Sequence, residues 1–202
     1  TSSIKYDFAA VRGYPEGILP FWVADMDFRV PAPIMEALKA RTAHGIFGYT
    51  QPMDDYFAAI QSWFATRHNW NVTASDLIIT PGVVFALATA IRTFTQPGDA
   101  VLIQQPVYYP FANIIRENAR RLVNSQLRLL RSRYMIDFND FEQKIIENNV
   151  KLFILCSPHN PVGRVWTHAE LAQLADICLR HNVLVIADEI HEEFIRPGFR
   201  HT

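Results

Sequence analysis

KLFILCSPHNPVGRVWTHAELAQLADICLRHNVLVIADEIHEEF, residues 151 to 194, decides the fold. Leu152 to Leu155 is a short apolar run, and so is Val183 to Ala187. Runs of this length without polar alternation read as strands buried on both faces. Between them, Thr167 to His181 reads as an amphipathic helix. Thr167 and Glu170 have the spacing of a capping box, in which a hydroxyl and a carboxylate satisfy backbone N–H groups at the helix start.

The same texture extends upstream as far as Asp76. Leu77 to Thr80 predicts a strand, and Val83 to Thr95 a helix closed by Pro97-Gly98-Asp99. Ala100 to Gln104 predicts a strand, Tyr109 to Asn118 a helix, Leu122 to Leu127 a strand and Phe138 to Asn148 a helix. Apolar strands between amphipathic helices imply an α/β fold, a three-layer α/β/α sandwich with a mainly parallel sheet. Farther upstream, residues 4 to 30 read as an extended arm. Pro31 to His44 reads as a helix with Ile34, Ala37, Leu38 and the Arg41 stem on one face and Gly45 as its stop. Met53 to Arg67 reads as another, with Phe57, Ile60 and Phe64 at helical spacing. The expected organisation is residues 1–45 as arm and first helix, and 46–202 as a ligand-binding large domain.

Half of the 202 residues are apolar and the net charge is −1. No polybasic field points to nucleic acid or a membrane surface, and no apolar run reaches the roughly 18 residues of a membrane span. Cys156 and Cys178 stand in no metal-ligand spacing and read as reduced thiols. The expectation is a soluble cytoplasmic protein. The tail Pro197 to Thr202 follows a strand and a charged segment with no closing helix, which suggests the front part of a longer chain.

In open α/β sheets, ligands bind outside the carboxyl ends of the strands. Four predicted strands end in polar or glycine-containing groups. Thr80-Pro81-Gly82-Val83-Val84 leads into a helix, where glycine permits close approach and free N–H groups suit a phosphate; an ordinary strand–helix turn has the same composition. Dinucleotide and P-loop fingerprints are absent. After Gln104 come Pro106, Val107 and Tyr108; a tyrosine there can stack on a planar ring or fill a core. In Cys156 to Gly163, prolines bracket Asn160, which can donate to a ligand oxygen or make an Asx turn. His159 and Cys156 read as structural. Asp188 directly follows a buried strand. Such a carboxylate is costly to desolvate unless it meets a cation, or it caps a helix. Asp188, His191 and Glu192 could hold a metal, though no helical HExxH is present; no metal is expected.

Taken together, LPFWVADMDF, FGYTQP, TPGVVFAL, QPVYYPF, SPHNPVGRVW and ADEIHEEF resemble segments of the fold-type I pyridoxal-phosphate enzymes, class I/II aminotransferase-like. WVADMDF, with DEIH rather than DEVY, is most similar to the cystathionine β-lyase (carbon–sulfur lyase) group of the MalY/PatB type. The resemblance spans the whole chain in consistent order.

It implies roles for individual residues. Asp188 would face the pyridine nitrogen of pyridoxal 5'-phosphate, and Asn160 the phenolic oxygen. Tyr108 would stack on the ring, and Gly82, Val83 and Val84 would give N–H groups to the phosphate. Tyr49 would reach the phosphate of a neighbouring subunit, which implies a homodimer. Trp22, Asp25 and Met26 would line the substrate entrance. His191 stands where aminotransferases commonly have tyrosine, so it is a cofactor neighbour without that tyrosine's bond. The substrate implied is a small-molecule amino acid such as cystathionine. The family's Schiff-base lysine follows the DEIH strand, and none of Lys5, Lys39, Lys144 and Lys151 does so. The lysine, and a C-terminal small domain, are therefore expected beyond Thr202. Carbon–sulfur lysis, transamination and a non-catalytic binding module all remain compatible with the residues.

Overall fold

A computed structural model describes residues 2–202. The chain divides into two compact units, one reaching to Ala74 and the other Ser75–Thr202. No helix among the described residues is long and apolar enough to cross a membrane.

The first unit holds helices α1 (Ala32–His44) and α2 (Asp54–Arg67). Pro31 precedes α1, whose first turn contains Pro33, and Gly45 ends it at φ 71°, a left-handed stop that favours glycine. Ahead of α1 runs the extended arm, pinned at Lys5. The Lys5 ammonium donates to the Asp25 carbonyl at 2.8 Å and lies 3.2 Å from the Asp27 carboxylate. Neither helix buries a residue fully. The apolar face expected on α1 exists in sequence, yet Ile34 and Leu38 lie exposed.

In the second unit a four-stranded parallel sheet is ordered β2–β1–β5–β6: β1 (Ala100–Ile103), β2 (Arg121–Asn124), β5 (Val150–Cys156) and β6 (Leu184–Asp188). Helices α3 (Val83–Phe94) and α4 (Pro110–Glu117) cover one face. Leu87, Ile91, Phe111 and Ile115 pack there against Val101, Ile103, Leu152 and Ile154. Helices α5 (Phe138–Asn148) and α6 (His168–Arg180) cover the other, with Phe141, Ile145, Leu174 and Ile177 against Leu102 and Phe153. Strand side chains alternate between the two clusters, as the pleat requires. The expected α/β/α layering is therefore present, and the Thr167–Glu170 capping box forms.

Three details depart from expectation. Residues 77–80 form no strand, and Ile78 is 88% exposed. Their apolar pattern is right, but a strand exists only by pairing, and among the described residues nothing pairs with them. β6 is an edge strand with Leu184 and Val185 exposed, so it is not covered on both faces. A small antiparallel hairpin, β3 (Arg128–Leu130) with β4 (Arg133–Met135), was not foreseen. Its turn residues, Arg131 and Ser132, have φ of 46° and 64°. Tight hairpin turns demand such values and usually take Asn or Gly, so the sequence offered no turn signal.

Candidate active site

The parallel register puts the carboxyl ends of β1, β5 and β6 at one edge of the sheet. At that edge Cys156 pairs with Asp188, and the Ser157 N–H donates to the Asp188 carbonyl at 3.0 Å. Ile186 packs into the α3/α4 cluster. Asp188 lies two residues farther along and points to the same face. Tyr108 packs into that cluster too. Helix α3 ends at Phe94, and β1 begins at Ala100 after a tight turn. Since α3 packs along the sheet, its N-terminus lies toward the strands' carboxyl ends. Asp188, Tyr108 and the start of α3 therefore share one face and one edge.

Asp188 is 6% exposed. One oxygen accepts from the Ile190 N–H at 3.2 Å, and among the described residues no lysine or arginine pairs with it. Burial raises its pKa above the usual carboxylate range, partly offset by the Ile190 N–H and the neighbouring His191. The His191 Nδ1 is buried without a partner. A buried acid and an imidazole side by side, with no lysine or arginine paired to the acid among the described residues, suit a ligand that brings a positive group.

Gly82 caps α3 at φ 116° and ψ 159°, a region open only to glycine. No side chain caps the helix, and the N–H groups of Val83 and Val84 have no partner among the described residues. A 12-residue helix with a bare N-terminus is a fit place for an anion. Tyr108 is half-buried, edge-on to Phe111 with ring centroids 6.0 Å apart.

Asn160 tops a loop closed by two backbone bonds, His159 N–H to Arg164 O and Gly163 N–H to His159 O, each 2.8 Å. The Trp166 indole N–H donates to the Cys156 carbonyl at 3.0 Å. The Arg164 guanidinium lies over Trp166 at 4.5 Å and grips both Glu170 oxygens at 2.6 and 2.8 Å. The loop is thus held from beneath; the Asn160 backbone N–H donates to Cys156 Sγ at 3.4 Å, and the half-buried Asn160 side-chain amide has no partner among the described residues. Cys156 is buried, and desolvation pushes its thiol up to about 11, in keeping with a structural cysteine. Among the described residues, the second unit's converging metal-ligand group is Glu189, Glu192 and His201, which contains neither Asp188 nor His191.

The remaining expected residues lie in the first unit. Trp22 rests against Tyr14 at 5.5 Å and under Arg12 at 5.0 Å. Asp25 is held by Lys5 through its carbonyl and, at 3.3 Å, its carboxylate. Met26 and Tyr49 are exposed. Lys144 lies on α5, and Lys151 lies near the start of β5, at the end of that strand away from Asn160. His159 does more than the sequence suggested: its Nε2 lies 3.0 Å from the Pro106 carbonyl, joining the Asn160 loop to the Tyr108 loop.

The profile of the aminotransferase class I and II family matches residues 17–201. The chain is 45% identical over its full length to cystathionine beta-lyase PatB of Bacillus subtilis and covers 52% of that protein. Cystalysin from Treponema denticola, whose crystal structure contains pyridoxal 5'-phosphate, superposes with a TM-score of 0.91 at 38% identity, over 100% of this chain and 52% of its own. The pyridoxal-phosphate-bound C–S lyase of Staphylococcus hominis gives 0.90 at 34% identity, over 99% and 51%. The chain spans about half the length of these proteins.

Proposed function

Because the chain belongs to the aminotransferase class I and II family, we propose that it forms the cofactor-holding part of a pyridoxal-phosphate-dependent carbon–sulfur β-lyase of the cystathionine β-lyase kind. One observation supports this most: a buried carboxylate with no lysine or arginine partner among the described residues, Asp188, on the face and edge where α3 presents its bare N-terminus. The residues fit the cofactor's three polar features. Asp188 suits the pyridine nitrogen, the free Asn160 amide suits the phenolic oxygen, and the N–H groups of Gly82, Val83 and Val84 suit the phosphate. Tyr108 offers a ring face, and His191 borders the same space.

Bound pyridoxal phosphate supplies an electron sink for the pair left when an amino acid loses its Cα proton. Asp188 keeps the positive charge at the nitrogen, which deepens that sink. Asn160 fixes the ring's orientation through its oxygen, and α3 anchors the phosphate. With the cofactor bound, the Cα pair would let a thiolate leave from Cβ and take up a proton, and water would hydrolyse the three-carbon imine that remains to pyruvate and ammonia. Tyr49, exposed at the surface, is free to reach a second copy's phosphate, which makes a homodimer part of the proposal. Trp22, Asp25 and Met26 would border the amino-acid substrate.

A chimera tests this, with the chain replacing the first half of the Bacillus subtilis lyase. The expected result is a yellow protein that releases thiol and pyruvate from cystathionine, with Asp188→Ala losing most of the turnover. Amino-group exchange without thiol release would replace the lyase assignment with transamination. Undiminished turnover in the Asp188 variant would remove the ring-nitrogen role.

A further inference from the structure

On the opposite face of the sheet, three polar side chains are sealed from solvent and unsatisfied. Gln104, 2% exposed, uses neither its amide nitrogen nor its oxygen. Ser157, 1% exposed, leaves its hydroxyl unpaired, and His159, 2% exposed, leaves Nδ1 unpaired. Leaving a buried polar atom unpaired is unfavourable, so several in one place imply an occupant.

Register brings them together. Leu102 pairs with Phe153, which sets Gln104 level with Leu155 and makes Ser157 its diagonal neighbour on the same face. That face is the one carrying Phe153 and Trp166, and the His159 ring meets Trp166 edge-on at 5.4 Å. The ring also faces the backbone carbonyls of Pro106, Cys156 and Gln104. A carbonyl only accepts, so the Nε2 lying 3.0 Å from Pro106 O carries the ring proton. Burial disfavours a second proton, which leaves Nδ1 an acceptor with nothing donating to it.

The set comprises amide donors, an amide oxygen, a hydroxyl and a bare imidazole nitrogen, with no net charge. It matches a small neutral molecule that both donates and accepts. A metal would meet the Gln104 NH₂, and an apolar guest would satisfy nothing. We propose that ordered water binds between the tips of β1 and β5, with one molecule donating to His159 Nδ1 and accepting from Ser157 or Gln104. Buried waters typically make about three such bonds. This water satisfies His159 Nδ1, and His159 ties the Tyr108 loop to the Asn160 loop. The site stands on this chain's own atoms and does not depend on the cofactor assignment.

A crystal structure of the chain at a resolution that shows ordered solvent is the direct test. The expected result is a density peak about 2.7–3.2 Å from Nδ1. Gln104 turned to bond His159 and Ser157 directly, with no peak, would overturn the proposal. In solution, long-range nitrogen–proton spectra should show His159 with Nε2 protonated, and its Hε1 should give a cross-peak to slowly exchanging water. A proton on Nδ1, or no cross-peak in a folded sample, would count against it.

Discussion

At position 188 a largely buried carboxylate closes a strand, and this has a cost that pH reveals. Burial holds its folded pKa above the unfolded value. Between those two values the folded chain binds more protons than the unfolded one, so this group's effect on stability worsens as pH rises through that window. Asp188→Asn removes the cost. Thermal unfolding of the variant is expected a few degrees higher at neutral pH, with the difference vanishing below the ordinary carboxylate range. Equal melting at both pH values would show that Asp188 carries no penalty. Stability gained at the expense of ligand binding is the usual mark of a functional site.

Among the elements, the Asn160 loop and α6 are locked together through Arg164 and Glu170. Burial works against the ionised Glu170, and the Thr167 N–H and the Arg164 guanidinium overcome it, so its carboxyl sits below its usual range. This stabilisation is present above the unfolded carboxyl value and is lost as pH falls through the lowered folded one. Glu170→Gln leaves the Arg164 charge buried beside a neutral amide. A loss of about 3 kcal/mol by denaturant unfolding is expected at neutral pH, shrinking in acid. Much of this architecture was legible: the capping box fixed the start of α6, and apolar runs located β1, β5 and β6. Candidate residues after those strands, Tyr108, Asn160 and Asp188, followed from the same rule about strand ends. The unpaired 77–80 segment was not legible, since local pattern cannot say whether a neighbouring strand exists. Nor was the hairpin, whose turn uses Arg131 and Ser132 in conformations that sequence statistics assign to glycine and asparagine. The partnership of His159 with Pro106 spans 53 residues, and no local pattern encodes it.

For the molecule as a whole, the two units differ in how they bury apolar surface. The second has a sheet with clusters on both faces. In the first, Val72 is the one described apolar residue that is fully buried, and Phe21, Phe28 and Leu19 are largely exposed. Local opening is easiest where few apolar contacts oppose it. Limited proteolysis is therefore expected to degrade residues 2–74 first and leave a resistant piece beginning near Ser75. Mass spectrometry of the surviving band checks this, and early cuts within β1 or β5 would contradict it.

The sheet also keeps its two apolar clusters from touching. Phe141 on α5 and Ile91 on α3 face the sheet from opposite sides, with a full layer of backbone between them. Substitutions far apart without shared partners add nearly independently. Truncating Phe141 and Ile91 together should cost close to the sum of the single losses, within about 0.5 kcal/mol. Core substitutions under α5 and under α3 can thus accumulate without altering each other's packing.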